Sequence, residues 1–269
     1  MALNQEQRCI LITGAASGIG RAAAIEFSRL GWFVGAVDLD ASGLDTLALE
    51  LNESSAFIKV MDVCDIVQWN TYVEGFSQRT QGRLNVLFNN AGLAGAGWFE
   101  DVPQDLSQQI IRVNLMGAVN GVYACRGLLN VTERSHIINN GSILGLQGTP
   151  FGGVYGATKA ALINLTESLN LELERDEISV SILLPSFVDT ALLRRSSFSA
   201  SDQHSPGLNL ITADQVAQAL VEVVRKPRLY MPVGHGSGMM FRLVRWCPSL
   251  MRWLTRRWLL KQLKASTPK

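Results

Sequence analysis

Cysteine is scarce: the chain has four, Cys9, Cys64, Cys125 and Cys247, in 269 residues. They are too scattered for a disulfide scaffold or a metal-ligand spacing. The three histidines, His136, His204 and His235, show no paired spacing either, so no metal site is expected. Long apolar runs are missing too. No stretch supplies the roughly 18 consecutive apolar residues of a spanning helix. The longest charge-free run, 135–158, is broken by Asn, Gly and Pro. Residues 1–8 are polar and lead directly into a strand, unlike a secretory leader, so a cytoplasmic protein is expected. An excess of one charge is also lacking. The net charge is +1, which argues against nucleic acid as a partner. Charged residues make up 17% and hydrophobic residues 47%, which excludes global disorder and allows one sizeable α/β core.

The near-zero net charge conceals an asymmetry. Residues 234–269 hold eight basic residues and no acidic one, which leaves the rest of the chain at −7. The sequence divides accordingly into a body, 1–233, and a basic extension, 234–269.

In the body, apolar runs alternate with helical periodicity. Strands are expected at 9–13, 33–37, 57–61, 86–89, 137–139, 179–184 and 229–233. Helices are expected at 19–30, 41–52, 66–81, 104–130 and 155–175. Thr212 and Gln215 form a capping box that opens a further helix running to 225. Continuous apolar strands separated by helices are the pattern of a doubly wound parallel sheet covered on both faces, a single-domain α/β Rossmann-type fold. The serine-rich stretch 192–210, with Pro206 and Gly207, reads as a mobile loop.

Gly14, Gly18 and Gly20 lie at the first strand-to-helix turn. Glycines there let backbone N–H groups approach a ligand, and the next helix presents its N-terminus to a pyrophosphate. Asp38, at the end of the second strand, has a carboxylate able to accept from both ribose hydroxyls of an adenosine and to repel a 2′-phosphate. No basic residue stands at 39–41, and position 17 is Ser, so NAD is favoured over NADP. Asp62 closes the third strand in the same way and is a weaker candidate for the adenine edge.

Tyr155 and Lys159, four residues apart on a helix, share one face. An ammonium beside a phenol favours the phenolate, so the pair is expected to act as a tunable acid/base. Ser142, at the end of the fifth strand, lies where ligands bind in such a sheet and can hydrogen-bond a substrate oxygen.

The joint order of Thr13-Gly-x-x-x-Gly-x-Gly20, Asp38, Asp62-Val63, Asn89-Asn-Ala-Gly92, Asn114, Ser142, Tyr155-x-x-x-Lys159, and Pro185 followed by Thr190 resembles the short-chain dehydrogenase/reductase family over about residues 7–233. The resemblance implies a hydride exchange between NAD and an alcohol or ketone. It makes Tyr155 the proton donor or acceptor. Lys159 would hold the nicotinamide ribose and lower the tyrosine pKa. Ser142 would orient the substrate oxygen, and Asn114 would hold a water that passes the proton onward. Cofactor contacts are implied at Gly14, Ser17, Gly18, Ile19, Gly20, Asp38, Asp62, Val63, Asn90, Ala91, Gly92, Tyr155, Lys159, Pro185, Val188 and Thr190, while Asn89 reads equally as a structural turn. The chain departs from the family at Ser186, where Gly usually follows Pro, and at Gly141, where the first of two serines usually stands. Homo-oligomerisation is implied through helices 104–130 and 155–175.

The substrate pocket is expected to be closed by 192–210 and bordered by 92–99 and 144–154. These borders offer Leu93, Ala94, Ala96, Trp98, Phe99, Leu144, Leu146, Phe151 and Val154, and neither carries Arg or Lys. Arg194 and Arg195 lie in the closing loop. An apolar, lipid-like secondary alcohol or ketone is therefore favoured over a small acid. A non-catalytic dinucleotide sensor on the same fold is the alternative, against which the intact Ser142, Tyr155 and Lys159 set argues. In the extension, Leu250, Met251, Leu254 and Trp258 fall on one helical face with Arg252 and Arg256 opposite, and Pro248 separates two short helices. Tryptophan and leucine among basic residues suit peripheral contact with anionic lipid through 239–263. Packing on the body or on a second copy competes with it.

Overall fold

The computed structural model describes residues 7–190 and 210–265. Seven strands among them form one parallel sheet: β1 (Cys9–Thr13), β2 (Phe33–Asp38), β3 (Ala56–Val60), β4 (Val86–Asn89), β5 (His136–Asn140), β6 (Ser179–Pro185) and β7 (Tyr230–Val233). Their spatial order is β3-β2-β1-β4-β5-β6-β7. Every residue of β1 is buried, as a central strand covered on both faces requires. β3 is one of the two edge strands; its Lys59 and Val60 face solvent.

Helices cover both faces. One layer holds α1 (Gly18–Arg29), α2 (Ala41–Ala48) and α7 (Ala213–Arg225), whose buried residues join Ile10, Ile12 and Val34 in one core. The other holds α3 (Ile66–Thr80), α4 (Gln104–Ile111), α5 (Gly117–Val131) and α6 (Gly153–Glu172). There Trp69 and Phe76 of α3 and Cys125 and Leu129 of α5 pack under Leu11 and Leu87. The element ends obey local chemistry. Asp65 caps α3 by accepting from the N–H groups of Val67 and Gln68, and the predicted Thr212–Gln215 box opens α7 with both of its bonds made.

Two helices differ from expectation. The stretch 104–130 is not one α-helix: Arg112–Met116 form a π-helical turn between α4 and α5. A single π-turn inserts one residue and shifts the phase of the apolar stripe, but the eight residues of α4 give too few turns for periodicity to reveal the shift. Helix α2 stops at Ala48 instead of 52, because Asn52 turns its side chain to cap the next short turn, accepting from Ser54 N–H.

The extension forms α8 (Ser237–Trp246) and α9 (Pro248–Ala265). Pro248 divides them as expected, but α9 has 18 residues and is not short. Met240 and Phe241 of α8 pack with Tyr230, Leu146 and Leu184. Arg245 donates to the Tyr230 hydroxyl at 2.7 Å and pairs with Glu167 at 3.2 Å.

Candidate active site

Strand order reverses beside β1, so the crossovers from β1 and β4 leave in opposite directions and open a crevice beyond their carboxyl ends. A cleft of about 550 Å³ lies there. At one end is the glycine turn. Gly14 has φ +67°, and a Cβ on it would stand 2.8 Å from Ala91 Cα. A Cβ on Gly20 would fall 2.0 Å from the Gly14 carbonyl, so this residue secures the contact of α1 with the turn rather than lining the cleft. Ser17 makes no side-chain cap, which leaves the first N–H groups of α1 available to an anion. The Thr13 hydroxyl accepts from the Asn90 and Ala91 N–H groups, both at 2.9 Å, and so pins the turn after β4 against β1.

Asp38 closes the same end. Its carboxylate accepts from Ala16 N–H at 2.9 Å and Asp40 N–H at 3.0 Å, one bond on each oxygen, and each oxygen keeps acceptor capacity toward the cleft. Asp62 also lines the cleft, with Val63. One oxygen of Asp62 accepts from Cys64 N–H at 2.8 Å.

At the other end Ser142, Tyr155 and Lys159 share one wall. Ser142 follows β5 and caps the turn Ile143–Gly145, accepting from Leu144 N–H at 3.1 Å. Tyr155 and Lys159 stand one turn apart in α6. The Lys159 ammonium donates to the Asn140 carbonyl at 2.7 Å and sits 5.6 Å from the centre of the Tyr155 ring. Only 4% of Lys159 is exposed, and burial lowers its pKa to about 8. The Tyr155 phenol moves the other way from expectation. Burial raises it to about 12, and the Ser142 hydroxyl pulls it back only in part. Desolvation dominates at both groups, raising the phenol and lowering the ammonium.

The structure brings together all the predicted cofactor residues except Gly20: Gly14, Ser17, Gly18, Ile19, Asp38, Asp62, Val63, Asn90, Ala91, Gly92, Tyr155, Lys159, Pro185, Val188 and Thr190 line the cleft. Asn114 stands behind the wall. The π-turn aims it inward, where its amide accepts from Leu93 N–H at 2.7 Å and donates to the Leu93 carbonyl at 2.9 Å and to Thr158 Oγ1 at 3.1 Å. Thr158 in turn donates to the Tyr155 carbonyl, so Asn114 braces the helix that carries the tyrosine.

Sequence reasoning missed Asn140. Its carbonyl holds Lys159, and its side-chain amide donates to Asn90 Oδ1 at 2.9 Å. Asn90 donates onward to the Thr13 carbonyl at 2.8 Å, joining the lysine to the glycine turn. A second asparagine at the end of an otherwise apolar strand is the signal that could have exposed it. Asn140→Ala is expected to cost about 1–3 kcal/mol, since it leaves Asn90 Oδ1 unpaired, and urea denaturation measures this.

The departure at 141 has a local cause, and that at 186 constrains a neighbour. A Cβ on Gly141 would lie 2.7 Å from the Leu183 carbonyl, so β6 excludes a serine there. A Cβ on Gly234 would lie 2.3 Å from Ser186 Oγ, which shows that the Ser186 hydroxyl leans toward that glycine.

The residues fit a dinucleotide. Backbone donors at a glycine turn face one part of the cleft and a carboxylate closes that end. Asn140 Oδ1, buried in the wall with no partner, offers a further acceptor.

The substrate border needs correction. Leu93, Ala94 and Leu144 reach the cleft, joined by Leu106, Gln109 and Val113 from α4 and the π-turn. Ala96, Trp98, Phe99, Leu146, Phe151 and Val154 do not line it. Trp98 and Phe151 pack on each other with ring centres 4.7 Å apart, and Gly97 N–H donates to the Phe151 carbonyl, so the two borders close on one another. The loop expected at 192–210, with Arg194 and Arg195, lies outside the described residues apart from Leu210.

Comparisons with known proteins agree with this geometry. A family profile described as short chain dehydrogenase matches residues 8–200. The 3-oxoacyl-[acyl-carrier-protein] reductase FabG of Thermotoga maritima is 32% identical over 192 residues, 71% of this chain and 78% of that protein. The protein named "Probable oxidoreductase EphD" of Mycobacterium tuberculosis is 28% identical over 270 residues, 90% of this chain; the match spans only 44% of that longer relative. Among solved structures, a short chain dehydrogenase/reductase from Burkholderia phymatum in complex with NAD superposes with a TM-score of 0.78 at 27% identity, covering 93% of this chain and 96% of its own.

Proposed function

This chain belongs to the short-chain dehydrogenase family, and from that premise we propose that it is an NAD(H)-dependent oxidoreductase of secondary alcohols and ketones, with an apolar, lipid-like substrate. The observation that carries this reading is one cleft with Ser142, Tyr155 and Lys159 on a single wall at one end and Asp38 at the other.

The dinucleotide, when bound, supplies or accepts the hydride. The protein does the rest. The Ser142 hydroxyl donates a hydrogen bond to the substrate oxygen and holds it against the phenol. Tyr155 takes the hydroxyl proton during oxidation and returns one during reduction. Lys159, anchored on the Asn140 carbonyl, would hold the ribose with its remaining N–H donors and keeps a positive charge beside the phenol. Asn114 keeps α6 in register through Thr158, a bracing contact that leaves both of its amide hydrogens engaged. Leu93, Ala94, Leu106, Val113 and Leu144 exclude water and favour an apolar substrate body.

Asp38 supports NAD over NADP, because its carboxylate occupies the end of β2 with no cation at 39–41 to neutralise a phosphate. Asp38→Ala is expected to weaken NAD by about 10- to 100-fold, the order of one charged hydrogen bond, and to relax discrimination against NADP. Calorimetric titration with each dinucleotide checks this. Turnover assays across secondary alcohols of rising chain length test the whole reading. Equal rates with NAD and NADP would defeat the cofactor preference, and a rate that falls with chain length would defeat the substrate class.

The exposed Tyr123 and Val131 of α5 and Leu171 of α6 support pairing of copies across these helices. The extension supports peripheral contact with a membrane.

A further inference from the structure

Helix α9 has two unlike sides. Met251, Thr255 and Leu259, spaced by four, form a half-buried inner edge. There Gln147 of the substrate border donates to Thr255 Oγ1 at 2.8 Å. The expected apolar face is thus divided, because Met251 turns toward the body. Leu250, Leu254 and Trp258, also spaced by four, stand 44–48% exposed, and Trp253 is half exposed beside them. Between these two exposed edges project Arg257 and Lys261, with Arg252 and Arg256 farther round, all four exposed. Arg257 stacks on the Trp253 ring at 4.6 Å. None of Arg252, Arg256 and Lys261 forms an ion pair among the described residues.

We infer that this outer side of α9 docks on the surface of an anionic bilayer. The inference rests on the reading of the extension as membrane-contacting, and it names the helix, the face and the lipid charge. Three observations favour lipid as the occupant. First, residues 234–269 contain no acid, so a two-fold contact between two copies of α9 would set cation against cation. Second, tryptophans flanked by arginine and lysine match the boundary between acyl chains and headgroups, where long basic side chains reach outward to phosphate. Third, no helix among the described residues is long and apolar enough to cross a membrane, so α9 lies along the surface. The opposite edge of α9 grips residue 147, and α8 packs beside Ile143 and Leu146. Docking therefore places the Ser142 end of the cleft near the bilayer, the reservoir of an apolar alcohol.

The test is flotation of the full chain with vesicles of phosphatidylcholine alone and with about one third phosphatidylglycerol. We expect binding to the anionic vesicles to be stronger by about 100-fold, taking three productive cations at about fivefold each. The triple variant Arg256→Gln, Arg257→Gln, Lys261→Gln should lose this difference. The double variant Trp253→Ser, Trp258→Ser should lose binding to both compositions. Melting curves equal to the parent show that each variant folds. A full chain that floats with neither composition, or equally with both, overturns the inference. So does a dimer that the double variant abolishes in light scattering while flotation is unchanged, because a second copy then occupies the face. No substrate enters the flotation assay. A chain that oxidises apolar alcohols yet ignores vesicles keeps its enzymatic reading and loses only the docking.

Discussion

Tyr155→Phe is expected to lower kcat by about 10²- to 10⁴-fold, the usual worth of a positioned general acid or base. The variant removes one oxygen and leaves the ring half-buried in the same wall, so the cleft keeps its shape. Binding of the dinucleotide, measured by calorimetry, should stay within about twofold of the parent, because the backbone donors and Asp38 are untouched. This split separates a proton-transferring group from a packing group. A phenylalanine variant that turns over at the parent rate would remove Tyr155 from the mechanism, whatever its position in the cleft.

Lys159→Met is expected to produce the second large effect, in two readouts. Turnover should fall by about 10²-fold or more, because the phenol loses its neighbouring charge and the ribose loses a donor. Stability should change with pH in a definite direction. The folded pKa is about 8 against a reference of 10.5, so between these values the unfolded chain binds more protons at residue 159 than the folded chain does. The lysine's contribution therefore grows as pH rises through this window, by on the order of 3 kcal/mol, and is lost as pH falls through 8. Urea denaturation of parent and variant at pH 7 and pH 10.5 isolates the effect, since groups common to both cancel. The variant should compare best with the parent at pH 7 and worst at pH 10.5. Parallel stabilities across the window would mean that the ammonium is not desolvated as the fold implies.

The sheet was legible because fully covered parallel strands must be apolar on both faces, and 9–12 and 86–88 are continuous apolar runs. The cofactor end was legible for a related reason. A close approach of backbones admits only glycine, and Gly14 and Gly20 mark the turn in the sequence itself. The catalytic pair needed only helical geometry, since residues four apart share a face. Asn114 was found by resemblance, but its place was not, because a π-turn depends on how α4 and α5 meet the rest of the molecule. Asn140 escaped because its importance lies in two partners, Lys159 and Asn90, that are remote from it in sequence. Trp98 and Phe151 were expected to border the substrate. They face each other instead, since two apolar loops brought together bury surface on one another before they line a cavity.

Taken alone, the order of residues determined the layers of this molecule, the turn that admits a pyrophosphate, and the identity of the groups able to move a proton, because each depends on spacing along a single element. The tertiary structure decided what no spacing contains. It set the dry surroundings that raise the Tyr155 pKa and lower that of Lys159, the polar link from lysine to glycine turn, and the side of α9 that is left to solvent. Those properties belong to contacts between elements, and desolvation and partnership exist only once the elements have met.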